Sequence, residues 1–287
     1  MIKQVTRKSM KIRFSGRSTD YITPSFGYGC LLNCSYCYMK RHSSKGVTIA
    51  GNHETILQEI DRHALFYADA KKPNQTHEFF TSYDISCNED FALHAKFHDW
   101  PRIFEFFRDH DSAMGSFATK IVPTKFLEFN PEGKIRIRFS LMPQRMSSIV
   151  EPNTAPIADR IAAIDEFIAA GYDVHVNFSP IILYQGWKED YIDLFQQLDA
   201  GVSDNNKEIV KAECIMLTHE ENKHNFNVEN NIPGEEYLWN PTLQEPKTSQ
   251  YGGSNVRYKR PLKRDAISQF KQMMHAEIPW CTIRYIF

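Results

Sequence analysis

The stretch KIRIRFSLMPQRMSSIVEPNTAPIADRIAAIDEFIAAGYDVHVNFSPIIL, residues 134–183, reads as strand, helix, strand. Its two ends, 134–141 and 173–183, are dense in β-branched and aromatic residues, the composition of a strand. Between them, 156–171 opens on Pro156 and ends on Gly171, the usual punctuation of a helix. Strands joined through a helix pair in parallel by a right-handed crossover. Working outward, the alternation recurs. Further strand candidates are 21–29, 77–82, 115–121 and 209–217. Further helical runs are 54–70, with Ile56, Ile60, Ala64 and Tyr67 on one face, and 188–200. Six strands separated mostly by helices predict an α/β protein built as a partial (β/α)6 TIM-type barrel. A single domain over 1–287 is expected, with its barrel core at about 20–218. The extension, about 219–287, reads as a hairpin over 249–261 turning at Gly252–Gly253, a helix (263–275) and a last strand (281–286). In such barrels chemistry sits at the C-terminal ends of the strands, and Cys30 directly follows the first strand candidate.

The chain has 287 residues, 42% hydrophobic and 24% charged, enough to bury a large core. It has no apolar run of membrane-spanning length. Its basic N-terminus lacks the apolar core of a signal peptide, so a cytoplasmic location is expected. The net charge of −1 hides an uneven distribution: +8 over residues 1–48, −15 over 49–246 and +6 over 247–287. Two basic ends suit phosphate contact, and equally suit two solvated faces. Six cysteines in a cytoplasmic chain point to metal or redox chemistry rather than a disulfide framework.

Three of the six stand together in FGYGCLLNCSYCYMK, residues 26–40, as Cys30, Cys34 and Cys37. Structural zinc wants four closed ligands, and no second C-x2-C or finger-spaced histidine follows. A 4Fe–4S cube is held by thiolates, and three of them leave one iron open. The alternatives are a zinc site with a distant fourth ligand, or three buried cysteines.

Cys-x3-Cys-x2-Cys followed by an aromatic residue, here Tyr38, resembles the signature of the radical SAM superfamily. The resemblance narrows further. CSYCYMK (34–40) is similar to the cluster loop of the spore photoproduct lyase family. Residues 135–200 resemble that family's middle segment nearly throughout, and SQYGGSNVRYK (249–259) resembles its DNA-inserting hairpin. The resemblance implies a 4Fe–4S cluster on Cys30, Cys34 and Cys37, with S-adenosylmethionine on the open iron. It implies Lys120, Ser140, Ser179 and Tyr38 as cofactor contacts. Tyr36 and Tyr38 would assist hydrogen return. Tyr251, Arg257 and Lys259 would open or grip DNA. The implied substrate is a thymine-derived dimer joined through a methyl carbon and flipped out of the duplex. An electron donor such as flavodoxin or ferredoxin is expected as a partner; the sequence carries no oligomer signal, and a monomer is expected.

One departure stands out. The family's hydrogen-donating cysteine lies in a pattern like E-A-A-C-T-S-D. The corresponding run here, EFFTSYD (78–84), sets Thr81 in its place. An O–H bond is much stronger than an S–H bond, so a hydroxyl quenches a carbon radical poorly. Either Cys87, six residues on, is a displaced donor and the enzyme is a repair lyase, or the reaction is a rearrangement that needs no thiol. The substitution slightly favours base modification of the isomerase type. Two other readings stay open: a radical SAM enzyme on a small molecule or RNA, and a non-catalytic DNA-binding protein with a structural metal.

The remaining candidates read as structural. His94 and His98 lie four apart, without the glutamate of a metalloprotease helix, and are expected to be solvated or locally bonded. HEENKH (219–224) reads as polar loop. Cys214 and Cys281 read as core. Glu151 either holds a ribose or caps a turn. Asp84 either lines the pocket or bonds its own loop.

Overall fold

A computed structural model describes residues 2–37, 39, 46–248 and 254–287. In chain order its strands and helices begin with β1 (Ile2–Val5), β2 (Arg13–Phe14), β3 (Tyr21–Ile22), β4 (Gly27–Tyr28), β5 (Val47–Ala50) and α1 (His53–Tyr67). There follow β6 (Thr81–Asp84), α2 (Trp100–Asp109), β7 (Ala113–Thr119), β8 (Ile135–Ser140), α3 (Gln144–Val150), α4 (Ile157–Ala169) and β9 (Asp173–Ile181). The chain continues through α5 (Trp187–Gly201), α6 (Asp204–Lys207), β10 (Lys211–Met216), β11 (Thr218–Glu220), α7 (Glu221–Glu229) and α8 (Glu235–Leu238). It ends with β12 (Gln244–Thr248), β13 (Ser254–Tyr258), α9 (Arg260–Glu277) and β14 (Thr282–Ile286). This is the mixed α/β, partial-barrel class read from the sequence.

The chain packs as two compact units. The first comprises Met1–Leu31, His42–Phe139 and Ala163–His175; the second comprises Leu32–Arg41, Ser140–Ala162 and Val176–Phe287.

In the first unit the strand order is β8-β7-β6-β3-β2, parallel except for β2. Helix α1 buries Ile56, Leu57, Ile60 and Ala64, close to the face read from its periodicity. Helix α2 starts where the Asp99 side chain accepts from Arg102 N, with Pro101 in its first turn, and buries Trp100, Ile103, Phe104 and Phe107. Phe104 meets Phe117 and Phe126 with ring centroids 6.1 and 5.0 Å apart. Each such ring removed from water is worth about 2–3 kcal/mol.

Two strand expectations are corrected here. The run 21–29 is not one strand. It splits into β3 and β4, and β4 joins a separate small sheet of order β1-β5-β4. Pro24 lies between them and has no N–H to give a ladder. Cys30 therefore follows β4, not a strand of the main sheet. The run 77–82 begins its pairing only at Thr81, because the His77 ring accepts the Phe79 and Phe80 N–H groups at 3.0 and 2.9 Å. A local side-chain turn has outcompeted the ladder there.

In the second unit β9, β10 and β14 run parallel in the order β14-β10-β9. Helix α5 buries Tyr191, Leu194, Phe195 and Leu198, and α9 buries Ala266, Phe270 and Met274. The rings of Phe195 and Phe270 meet at 5.4 Å, over Phe178 of β9. Strands β11, β13 and β12 form an antiparallel sheet. Strands β12 and β13 pair antiparallel, so the expected hairpin has its second strand inside 249–261 and its first at 244–248, earlier than expected; the expected turn residues, Gly252–Gly253, lie outside the described residues. The segment 219–224, read as loop, is strand and helix. Cys214 and Cys281 are buried as expected.

Candidate active site

Parallel strands bring their C-terminal ends to one edge, where loops carry the chemistry. In the first unit β6 ends at Asp84. Asp84 accepts from Ser86 N at 2.8 Å and from the buried Arg138 of β8 at 2.9 Å. It therefore both bonds its own loop and pairs with a neighbouring strand. Cys87 lies three residues beyond this strand end, with an Arg13 guanidinium nitrogen 3.8 Å from its sulfur. The next carbonyl, that of Asn88, accepts the Gly29 N–H at 2.9 Å. One hydrogen bond thus has Cys30 beside one partner and Cys87 beside the other. Gly29 has φ +94°, and a Cβ there would stand 3.1 Å from the Gly46 carbonyl. Glycine is what this approach requires.

Thr81 is at the other end of the same strand. It opens β6, is 2% exposed, and donates its N–H to Ser112 O at 2.8 Å. Its surroundings are a cavity of about 250 Å³ shared with Asp20, Tyr21, Tyr67 and Lys71. That edge holds the N-terminal ends of β3 and β6. The spacing of Thr81 to Asp84 is repeated from Cys87 to Asp90, and the two aspartates differ in what they hold. Asp90 is buried and accepts from Thr119 Oγ1 at 2.9 Å, Lys120 N at 2.9 Å and Leu93 N at 3.1 Å. It anchors the end of β7, where Lys120 stands half-buried. Burial pushes its carboxyl up, against the pull of those donors.

Between Cys87 and Asp90 sits Glu89, a residue the sequence did not single out. His94 Nδ1 and His98 Nε2 lie 2.9 and 3.1 Å from one of its oxygens, and all three side chains are wholly buried. The histidines are on a short turn, not a long helix. They are locally bonded, the second of the two arrangements expected of them. Burial raises the Glu89 carboxyl, but the two imidazole hydrogen bonds prevail and hold it below the usual carboxylate range. A Cβ on Gly27 would fall 2.0 Å from this carboxylate. The pattern C-x-E-D followed by two histidines was the available signal. It was hidden because a buried carboxylate reads like any surface one.

In the second unit Cys34 is buried and Cys37 half-buried. They are joined by a turn in which Cys37 N–H donates to Cys34 O at 3.0 Å, entered from Asn33 at φ +64°. Tyr36 hydrogen-bonds Glu151. Burial first, then the Glu151 charge, pushes its phenol well above its ordinary range. Glu151 also takes Ser147 Oγ at 3.1 Å and Arg160 at 3.2 Å. Its carboxylate is thus engaged by Tyr36 and by buried neighbours. Arg160 donates to the carbonyl of Ser140 at 2.7 Å, which fixes the end of β8. Ser179 is half-buried in β9, followed by a cis bond to Pro180.

Arg257 is bound to Glu245 at 2.9 Å across the hairpin, and Lys259 Nζ donates to Thr242 O at 2.8 Å. Tyr38 and Tyr251 lie outside the described residues.

None of the six cysteines is disulfide-bonded. Three thiols within eight residues, on backbone tightened at Gly29 and Asn33, are soft donors of the kind iron–sulfur clusters take. Among the described residues, no three His, Cys, Asp or Glu side chains are grouped as around a single metal ion. Corners of an iron–sulfur cube stand farther apart than such a group. Among the described residues, no helix is long and apolar enough to cross a membrane.

Comparison with known proteins gives a consistent result. The spore photoproduct lyase family model matches residues 2–287. A spore photoproduct lyase of Bacillus subtilis (strain 168) is 28% identical over 264 residues, covering 88% of this chain and 72% of that protein. One from Geobacillus sp. (strain Y412MC61) is 24% identical, covering 97% and 80%. A solved spore photoproduct lyase variant with bound AdoMet and dinucleoside spore photoproduct superposes with a TM-score of 0.85 at 21% identity, covering 100% of this chain and 82% of that one. A second, complexed with dinucleoside spore photoproduct, gives 0.84 at 22%, with the same coverage. At such identities the structures show the fold. The chain belongs to the spore photoproduct lyase family, whose members are radical SAM enzymes using a 4Fe–4S cluster and AdoMet.

Proposed function

We propose that this family member is a repair lyase that splits a methylene-bridged thymine dimer in DNA, with Cys87 as the hydrogen donor. Cys30, Cys34 and Cys37 would hold the cluster. Bound there, the cluster and S-adenosylmethionine would supply a radical able to take a hydrogen atom from the lesion. The protein's own task is then to place the lesion, exclude water and return one hydrogen atom. An S–H bond is weak enough to do the last.

The observation that carries this reading is the place of Cys87. It follows the C-terminal end of β6, beside the Asn88 carbonyl that takes the Gly29 N–H, next to Cys30. Cys87 and Asp90 also have the C-x-x-D spacing of the family pattern, although by sequence the corresponding run is EFFTSYD. Asp90 then ties the donor loop to the strand end that carries Lys120. The base-modification reading rested on Thr81 standing where the donor belongs. Thr81 opens β6 while Cys87 follows its C-terminal end, and our reading gives the place of Cys87 the greater weight. For DNA, the β12–β13 hairpin remains our candidate contact. Arg257 would exchange Glu245 for phosphate, and Arg257→Ala would lower the salt slope of duplex binding by about 1.

The test is anaerobic turnover of dinucleoside spore photoproduct by the reconstituted protein. Cys87→Ala is expected to lower thymine formation at least about 100-fold, within the range for loss of a group acting on the reacting atoms, while cleavage of S-adenosylmethionine continues. Full thymine formation by that variant would refute the assignment of the donor.

A further inference from the structure

The turn that carries Cys34 and Cys37 is fastened at Ser35, and two of the three fastenings come from the chain's C-terminal extension. Ser35 N–H donates to Val150 O at 2.8 Å. Ser35 Oγ donates to Pro233 O at 2.8 Å. Ser35 O accepts from Asn227 Nδ2 at 2.9 Å. All three polar groups of the residue are thus spent on partners far away in sequence. A buried amide or hydroxyl left without a partner costs about 1–3 kcal/mol, so this set holds together or fails together.

Asn227 is itself held. It is fully buried in α7 and also donates to Glu235 at the start of α8. Glu235 in turn takes His219 Nε2 at 3.1 Å and His224 Nδ1 at 2.6 Å. His224 stacks flat on Trp239, with ring centroids 4.3 Å apart. Gly234, at φ +85°, lets this segment close on α3, because a Cβ there would meet Val150 Cγ1 at 2.6 Å. The residues that brace Ser35 on one side therefore pack on the helix that braces it on the other.

We infer that Asn227 and Glu235 are positioning residues for the Cys34–Cys37 turn, so that the segment 219–239 is an outer layer of the cluster site. The inference rests on the reading of those cysteines as cluster ligands. Groups one layer out from metal ligands fix ligand orientation, and their loss typically weakens metal binding about 10–100-fold.

The experiment follows iron release from anaerobically reconstituted protein to a chelator, beside the cluster's midpoint potential and the melting temperature. Asn227→Leu is expected to release iron about tenfold faster than the parent and to shift the potential. Ser35→Ala, which removes one anchor only, should give a smaller acceleration with the fold intact. Glu213→Gln serves as comparator: Glu213 is equally buried, but on β10 with Arg284 and Tyr285. It should lower the melting temperature and leave iron release at the parental rate. Parental release rates in both Asn227→Leu and Ser35→Ala, or faster release in Glu213→Gln, overturn the inference. A parent protein that takes up no iron overturns the cluster reading and this inference with it.

Discussion

Two carboxylates in this protein each hold a pair of histidines, and they do so differently. Glu89 in the first unit and both its imidazoles are sealed, with no side-chain exposure. Glu235 in the second unit keeps 10% exposure and its partner His224 keeps 24%. Glu89 acts on the Cys87–Asp90 loop by occupying space, pressed on the bare Cα of Gly27. Glu235 acts through a directed hydrogen bond, by orienting the Asn227 amide that holds Ser35. The same pair of residue types thus serves packing in one place and orientation in the other. A sealed anion is expensive to disturb and tells on stability. A partly wet one is cheaper to disturb and tells on geometry.

The largest effect expected from this contrast is that of Gly27→Ala. Its new methyl would displace a buried, paired carboxylate, at a cost of about 3–5 kcal/mol. Urea denaturation measures it, and a loss under about 1 kcal/mol would show that the Glu89 pocket is not tight. Glu89→Gln comes next, at about 2–3 kcal/mol, and it carries a pH signature. The carboxyl of Glu89 is lowered in the fold, so its stabilisation is complete above the ordinary carboxylate value. It is lost as pH falls through the lowered one. The parent should therefore lose melting temperature on acidification below the ordinary range more steeply than Glu89→Gln. Parallel curves would mean that Glu89 gains nothing from its histidines. Glu235→Gln should cost only about 1 kcal/mol by the same denaturation, while speeding iron release. A stability loss as large as that of Glu89→Gln would erase the distinction. Smallest of all is Thr81→Val, a change of similar shape remote from the strand ends that bear Cys87 and Lys120. Lesion turnover within about twofold of the parent is expected; a tenfold loss would return Thr81 to the site.

The route from sequence to site was clear where one short-range pattern sufficed. Helix α4 and strands β8 and β9 stand close to where periodicity and the Pro156–Gly171 punctuation put them, and the cysteine spacing is local by nature. It was less clear around β6, where the family pattern set Thr81 in the cysteine's place and Cys87 lay six residues on. That Thr81 opens the strand while Cys87 follows its C-terminal end is a property of the sheet. His94 and His98 gave their mutual spacing but not their partner. His219 and His224 looked like loop because their polarity is satisfied by Glu235, 16 and 11 residues away.

The amino-acid order alone determined which soft donors this protein has, how closely Cys30, Cys34 and Cys37 follow one another, and that strands alternate with helices. Those are facts of spacing, and spacing survives in an unfolded chain. The tertiary structure decided which residues stand at each end of β6, which carboxylates are sealed, and what grips Ser35. Direction, burial and long-range hydrogen bonding exist only once distant segments are packed together.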